Sequence, residues 1–134
     1  MVNLIDASGS ISEKELREEV AELQGILWAY PGVTLNIIFF DTVATKSQEV
    51  TDDTDIQKIK IEGGGGTDYK PAFAQIEKEN LEPVCIIVLT DGYCDTFGKN
   101  PDVPVLWVLT PSHNHHFKPP WGDVIKIENI GDNE

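Results

Sequence analysis

Arginine occurs once in this chain, at Arg17, and only 10 of 134 residues are basic against 23 acidic ones. A formal net charge of -13 repels phosphate backbones, which excludes nucleic acid as a natural partner. Cysteine is nearly as scarce. Cys85 and Cys94 are the only two, too few for a disulfide framework, so a reducing cytoplasm is the expected compartment. No apolar run approaches the roughly 18 to 20 residues of a membrane span, which argues against a helical anchor. No basic segment followed by an apolar stretch opens the chain, so a secretory signal is not expected. Neither an HExxH zinc-protease motif nor a G-x-S-x-G nucleophile elbow is present.

What is present fits one soluble domain spanning residues 1–134. Hydrophobic residues make up 40% of the chain, enough for a single core. Val2 to Ile5 read as a short buried strand. Ser12 and Glu15 then have capping-box spacing, opening a helix whose core face is Leu16, Val20, Leu23, Leu27 and Tyr30. Pro31 and Gly32 stop it. Thr34 to Phe40, Val84 to Leu89 and Val103 to Leu109 are near-continuous apolar runs suited to strands buried on both faces. Val43 to Val50 reads as a more polar edge strand, and Asp123 to Glu128 as a last short one. Ile56 to Ile61 fits either a helical turn or a strand. Pro71 suits the first turn of a helix that carries Ala72, Phe73 and Ile76 inward. The expected fold class is therefore α/β, Rossmann-like and doubly wound, with a mostly parallel central sheet and helices on both faces.

Such sheets collect ligands beyond the carboxyl ends of their strands. Three segments meet that demand. Asp6-Ala7-Ser8-Gly9-Ser10 follows the first strand, Thr67-Asp68 follows Gly63 to Gly66, and Thr90-Asp91-Gly92 follows an apolar run. Asp6, Ser8 and Ser10 alternate, so their side chains can share one side of an extended loop. Gly9 permits a tight turn, and the four glycines permit a close approach that delivers Thr67. The carboxylates of Asp6 and Asp91 with the hydroxyls of Ser8, Ser10 and Thr67 form an oxygen set of the kind hard cations take. Such a set leaves a divalent cation short of negative charge and ready to accept a carboxylate from outside.

DASGS, GGTD and LTDG together resemble the three segments of the metal-ion-dependent adhesion site in von Willebrand factor A (VWA) domains. The resemblance extends over essentially the whole chain. It implies that Ser8, Ser10 and Thr67 bind the metal directly, with Asp6 and Asp91 acting directly or through water. It further implies a protein partner that supplies an acidic residue, and a neighbouring AAA+ ATPase in bacteria. The runs GGGGTDYKPAF, PVLWVLT and PPWGDVIKI are similar to the C-terminal VWA-like domain of bacterial proteins that carry a metallopeptidase-like region upstream. The chain reads equally as an excised domain or as a naturally short form. Among cations, the hydroxyl ligands and the small site slightly favour Mg2+ over Ca2+, with Mn2+ as a further alternative.

Two other function classes compete with this expectation. One is a VWA-like structural domain whose metal site is vestigial. The other is a haloacid-dehalogenase-like phosphatase, disfavoured because its second carboxylate would fall at Ser8 and because Lys70 and Lys78 belong to a helix. No catalytic constellation stands out, so the chain is not expected to be an enzyme. His113, His115 and His116 read as an exposed polar loop between prolines rather than a transition-metal site. Asp95 reads as a helix N-cap, and Asp68 as the cap of the helix that follows it. Cys85 reads as a small buried hydrophobe and Cys94 as exposed. Trp28 and Trp107 read as core; Trp121 is either exposed or a cover for the sheet edge.

Overall fold

A computed structural model describes residues 1–30, 32–55 and 58–126. The chain alternates strands and helices in the order β1 (Val2–Asp6), α1 (Glu13–Ala29), β2 (Leu35–Phe40), β3 (Gln48–Val50), α2 (Tyr69–Lys78), β4 (Ile86–Thr90), β5 (Val105–Leu109) and β6 (Asp123–Lys126). These strands form one six-stranded sheet in the order β3-β2-β1-β4-β5-β6, parallel throughout except for β3. The expected α/β class and mostly parallel sheet are both present.

The continuous apolar runs are explained by burial on both faces. Every residue of β1 is buried. On one face, Leu16, Val20, Leu23 and Leu27 of α1 join Ile5, Ile37, Phe39 and Leu89 in one core cluster. On the other, Tyr69, Ala72, Phe73 and Ile76 of α2 join Leu4, Ile38, Phe40, Val88 and Trp107. Each fully buried side chain of this size contributes about 1.5 to 3 kcal/mol. Both helix starts are capped as their sequences indicate. Ser12 Oγ accepts from the Glu15 amide at 3.1 Å, and Asp68 Oδ1 from the Lys70 amide at 3.0 Å.

Several expectations need correction. Trp28, expected in the core, and Tyr30, expected on the core face of the helix, are exposed, at 66% and 64%. Trp28 directly follows buried Leu27 and so lies about 100° around the helix from the core face, and Tyr30 lies beyond the helix, which ends at Ala29. Ladder pairing begins only at Ile86, leaving Val84 81% exposed and Cys85 half-buried. Cys94 is half-buried as well. Residues 91–104 contain no helix, so Asp95 caps nothing. The edge strand is confined to Gln48–Val50, because a tight turn at Asp41 bonds back to Val43 and an isolated bridge joins Phe40 to Ala44. Trp107 is fully buried, and half-buried Trp121 covers it, its carbonyl accepting the indole N–H of Trp107 at 3.0 Å. Ile56, Pro31 and the end of the last expected strand lie outside the described residues.

The strand order places the switch point between β1 and β4. From β1 the chain winds outward to β2, and from β4 in the opposite direction to β5 and β6. Asp6 ends β1, and Asp91 directly follows β4. The two carboxylates are thus delivered to the crevice where open α/β sheets bind ligands.

Candidate metal centre

Asp6 is fully buried, and both of its oxygens are engaged. Oδ1 accepts from the Ser8 amide at 2.9 Å, and Oδ2 accepts from the Thr90 hydroxyl at 2.6 Å. Thr90 has one proton and gives it to Asp6, so Tyr69 must be the donor in its 3.0 Å contact with Thr90 Oγ1. The Gly92 amide donates to the same oxygen at 3.2 Å. Burial pushes the Tyr69 hydroxyl above its ordinary range, consistent with a phenol kept as a donor. The relay Tyr69–Thr90–Asp6 fixes the carboxylate from beneath. Thr90 and Tyr69 are positioning residues that spacing alone did not single out, although both belong to the quoted motifs.

The second half of the site is a hydroxyl chain. Ser10 Oγ donates to Asp91 Oδ2 at 2.6 Å, which leaves Ser8 to donate to Ser10 across 3.1 Å. Asp91 Oδ1 also accepts from the Tyr93 amide at 3.3 Å. Ser8 and Asp91 are buried, while Ser10 is exposed, so the chain leads from the interior to solvent.

Backbone bonds hold the glycine run against this loop. The Gly64 amide donates to Ala7 O at 2.7 Å, and the Gly9 amide to Gly65 O at 2.9 Å. Asp41, at the carboxyl end of β2, adds a clamp. Its Oδ2 accepts from the Gly65 amide at 3.1 Å, and its carbonyl accepts from the Asp68 amide at 2.8 Å. Thr67 therefore lies half-buried in a loop fastened beside Ser8 and Ser10, but no hydrogen bond joins its side chain to the other four residues. The structure links Asp6, Ser8, Ser10 and Asp91 through their own and Thr90's hydrogen bonds; Thr67 is brought near only through its loop. Asp41 could have been found by the same rule that found the others, since it also follows a strand.

The close approach explains Gly63. A β-carbon there would meet the Ala7 carbonyl oxygen and lie 2.5 Å from Ala7 Cβ. Gly63→Ala is expected to cost about 2 to 4 kcal/mol, or to push the glycine run off the Asp6–Ser10 loop. A denaturant melt measures the first. Unchanged stability together with unchanged protection of the Gly64 and Gly9 amides from hydrogen exchange would show that the approach is not tight.

The electrostatics are one-sided. Burial raises the Asp6 carboxyl above its ordinary value, against the hydrogen bonds from Thr90 and Ser8, and the Asp91 charge raises it further. Glu19 of α1 is pushed to about 8, first by burial and then by Asp6, Glu15 and Asp91. Its Oε2 is buried without a hydrogen-bond partner. The charged groups that shift Glu19 are all carboxylates, so the site carries a deficit of positive charge.

Among the described residues, three or more His, Cys, Asp and Glu side chains nowhere gather as a metal site. Cation binding here would therefore depend on the hydroxyls, and their geometry fits. At metal–oxygen distances of 2.0 to 2.1 Å, adjacent ligands of an octahedral ion lie about 3.0 Å apart. The Ser8–Ser10 separation is 3.1 Å. Each hydroxyl keeps a free lone pair while its proton serves the chain toward Asp91.

The histidine loop is not the exposed segment its composition implies. His113 is buried, with Nδ1 2.7 Å from Thr110 O, and Asn114 ties the loop to Asp91 O and Gly92 O. The loop buttresses the Asp91 turn. His115 and His116 are exposed.

The sequence profile of the VWA-like domain family DUF2201 matches residues 1–128. An uncharacterized protein of Thermotoga maritima is 33% identical over 119 residues, covering 85% of this chain and 28% of that protein. The chain thus spans under a third of that relative's length. Among solved structures, BatB from Bacteroides thetaiotaomicron superposes with a TM-score of 0.62 at 12% identity, covering 98% of this chain and 91% of BatB. An aerotolerance-related membrane protein from Bacteroides fragilis, crystallised with multiple mutations to serine, gives 0.59 at 13%, covering 98% and 92%. At these identities the likeness establishes the fold alone. No helix among the described residues of this chain is long and apolar enough to cross a membrane.

Proposed function

The chain belongs to the VWA-like domain family DUF2201, and on that footing we propose that it is a protein-interaction domain whose binding depends on a divalent cation. The observation that carries this reading is the unbroken contact chain Ser8–Ser10–Asp91 at the switch point, with steps of 3.1 and 2.6 Å. Ser8, Ser10 and Asp91 would hold the ion directly. Asp6, whose oxygens are both occupied by protein donors, would act through water, and Thr67 would close the site from the glycine loop. When bound, the cation supplies an open coordination position for a carboxylate of a partner protein. Mg2+ is the expected ion, with Mn2+ and Ca2+ as alternatives. An AAA+ ATPase remains the partner implied by family resemblance. We read the domain as a binding module rather than an enzyme, because the hydroxyls and carboxylates of the site are fixed by one another.

A specific observation favours a second reading, the vestigial site. The hydroxyls and carboxylates already satisfy one another without an ion. Calorimetric titration of Mg2+, Mn2+ and Ca2+ into chelator-treated protein separates the two. Saturable one-site binding, weakened at least about tenfold in Ser10→Ala, supports the adhesion-site reading. The absence of binding up to about 10 mM would assign the network to structure alone.

A further inference from the structure

A cavity of about 430 Å³ lies away from the proposed metal centre, on the α2 side of the sheet. It exists because the connection from β4 to β5 contains no helix to cover that part of the face. Along α2, Lys70, Phe73, Ala74 and Glu77 follow i, i+3, i+4, i+7 spacing and form one wall. Ile76 and Ile86 line it from the core, and Phe97 and Val103 from the β4–β5 connection.

Its charge is distributed unevenly. Lys70 packs against Gly98, where a β-carbon would lie 3.2 Å from Lys70 Cγ, and Lys99 is the next residue. The two lysines therefore share one end. Neither forms a salt bridge among the described residues, in a chain with only ten basic side chains. Glu77, two turns along α2, lines the groove with Glu82 beyond Lys78. An anionic head is attracted at the first end and repelled at the second.

We propose that this groove binds a linear apolar carboxylate, with its head at Lys70 and Lys99 and its alkyl chain running along Phe73, Ala74 and Ile76. The volume falls in the range of small-molecule sites, about 300 to 1,000 Å³, which are mostly apolar with a few polar groups fixing orientation. From Lys70 to Glu77 the wall rises about 10 Å, less than two helical turns. That length is short for a docked partner helix, but it holds a chain of about eight carbons at roughly 1.3 Å per carbon. The site is independent of the proposed metal centre.

The test is titration of sodium octanoate and decanoate into the metal-free protein, followed by calorimetry, with decylamine and decanol as controls. Saturable carboxylate binding is expected, weakened at least about tenfold in Lys70→Glu/Lys99→Glu and lost in Ala74→Trp, which fills the groove. The two lysines are exposed, so the double variant reports on binding without burdening the fold. The proposal is overturned by no saturable binding up to about 1 mM, by amine or alcohol binding as well as the acid, or by indifference to both variants. An amphipathic helical peptide that displaced decanoate and bound more tightly would assign the groove to a protein partner and overturn it too.

Discussion

Asp6→Asn is expected to remove Mg2+ binding, by on the order of 100-fold or more, while leaving the fold in place. The asparagine keeps the size of the side chain and one acceptor for the Ser8 amide. Its NH2 group faces Thr90, where the carboxylate had accepted a proton. The threonine hydroxyl must then turn, and one hydrogen bond of about 1 kcal/mol is put at risk. Against this, the substitution removes a charge that burial disfavours, as the raised Asp6 carboxyl shows. In chelator, the variant should melt within a few degrees of the parent. In Mg2+ the two should diverge. A ligand at about 100 times its dissociation constant adds about 2.7 kcal/mol, or roughly 8 °C for a domain of this size, to the parent alone. A parent whose melting temperature ignores Mg2+ would remove the basis for the adhesion-site reading. A variant that gained as much as the parent would show that the ion binds elsewhere.

The residues behind this expectation were legible to different degrees. Asp6, Ser8, Ser10 and Asp91 follow strands whose apolar runs are unmistakable, so their convergence could be inferred from the rule on strand ends. Asp41 obeys the same rule but stands outside any matching motif, and its clamp on Gly65 depends on a contact 24 positions away. Tyr69 and Thr90 lie within the motifs, yet a hydroxyl relay is visible only once α2 is laid on the sheet. The histidine loop misleads because His113 is buried through a backbone carbonyl, which composition does not encode. Trp28 misleads because an apolar side chain beside Leu27 falls off the core stripe, and Tyr30 because periodicity does not mark where the helix stops. Glu19 was hidden among the many carboxylates of an acidic chain, most of them solvated.

Glu19→Gln is expected to change the pH dependence of stability more than any other single substitution. In the folded chain the Glu19 carboxyl titrates at about 8, against an ordinary value of 4.5. The folded state therefore holds a proton that the unfolded state releases. The stability that Glu19 contributes is fullest below pH 4.5, falls as the pH rises toward 8, and levels off beyond it. The gap of 3.5 units, taken at 1.36 kcal/mol each, limits the loss to about 5 kcal/mol. Water reaching the half-buried side chain would make the true figure smaller. Glutamine is neutral throughout and resembles the protonated acid, so this part of the slope should vanish and the variant should be the more stable protein at pH 8 to 9. Urea melts in chelator at intervals from pH 5 to 9 measure it, and parallel profiles for variant and parent would show that Glu19 ionises freely in the fold. Repeating the series in Mg2+ ties the two substitutions together. A cation held by Ser8, Ser10 and Asp91 would offset the carboxylates that crowd Glu19, so the parent's slope should flatten in Mg2+ while that of Asp6→Asn stays as it was in chelator.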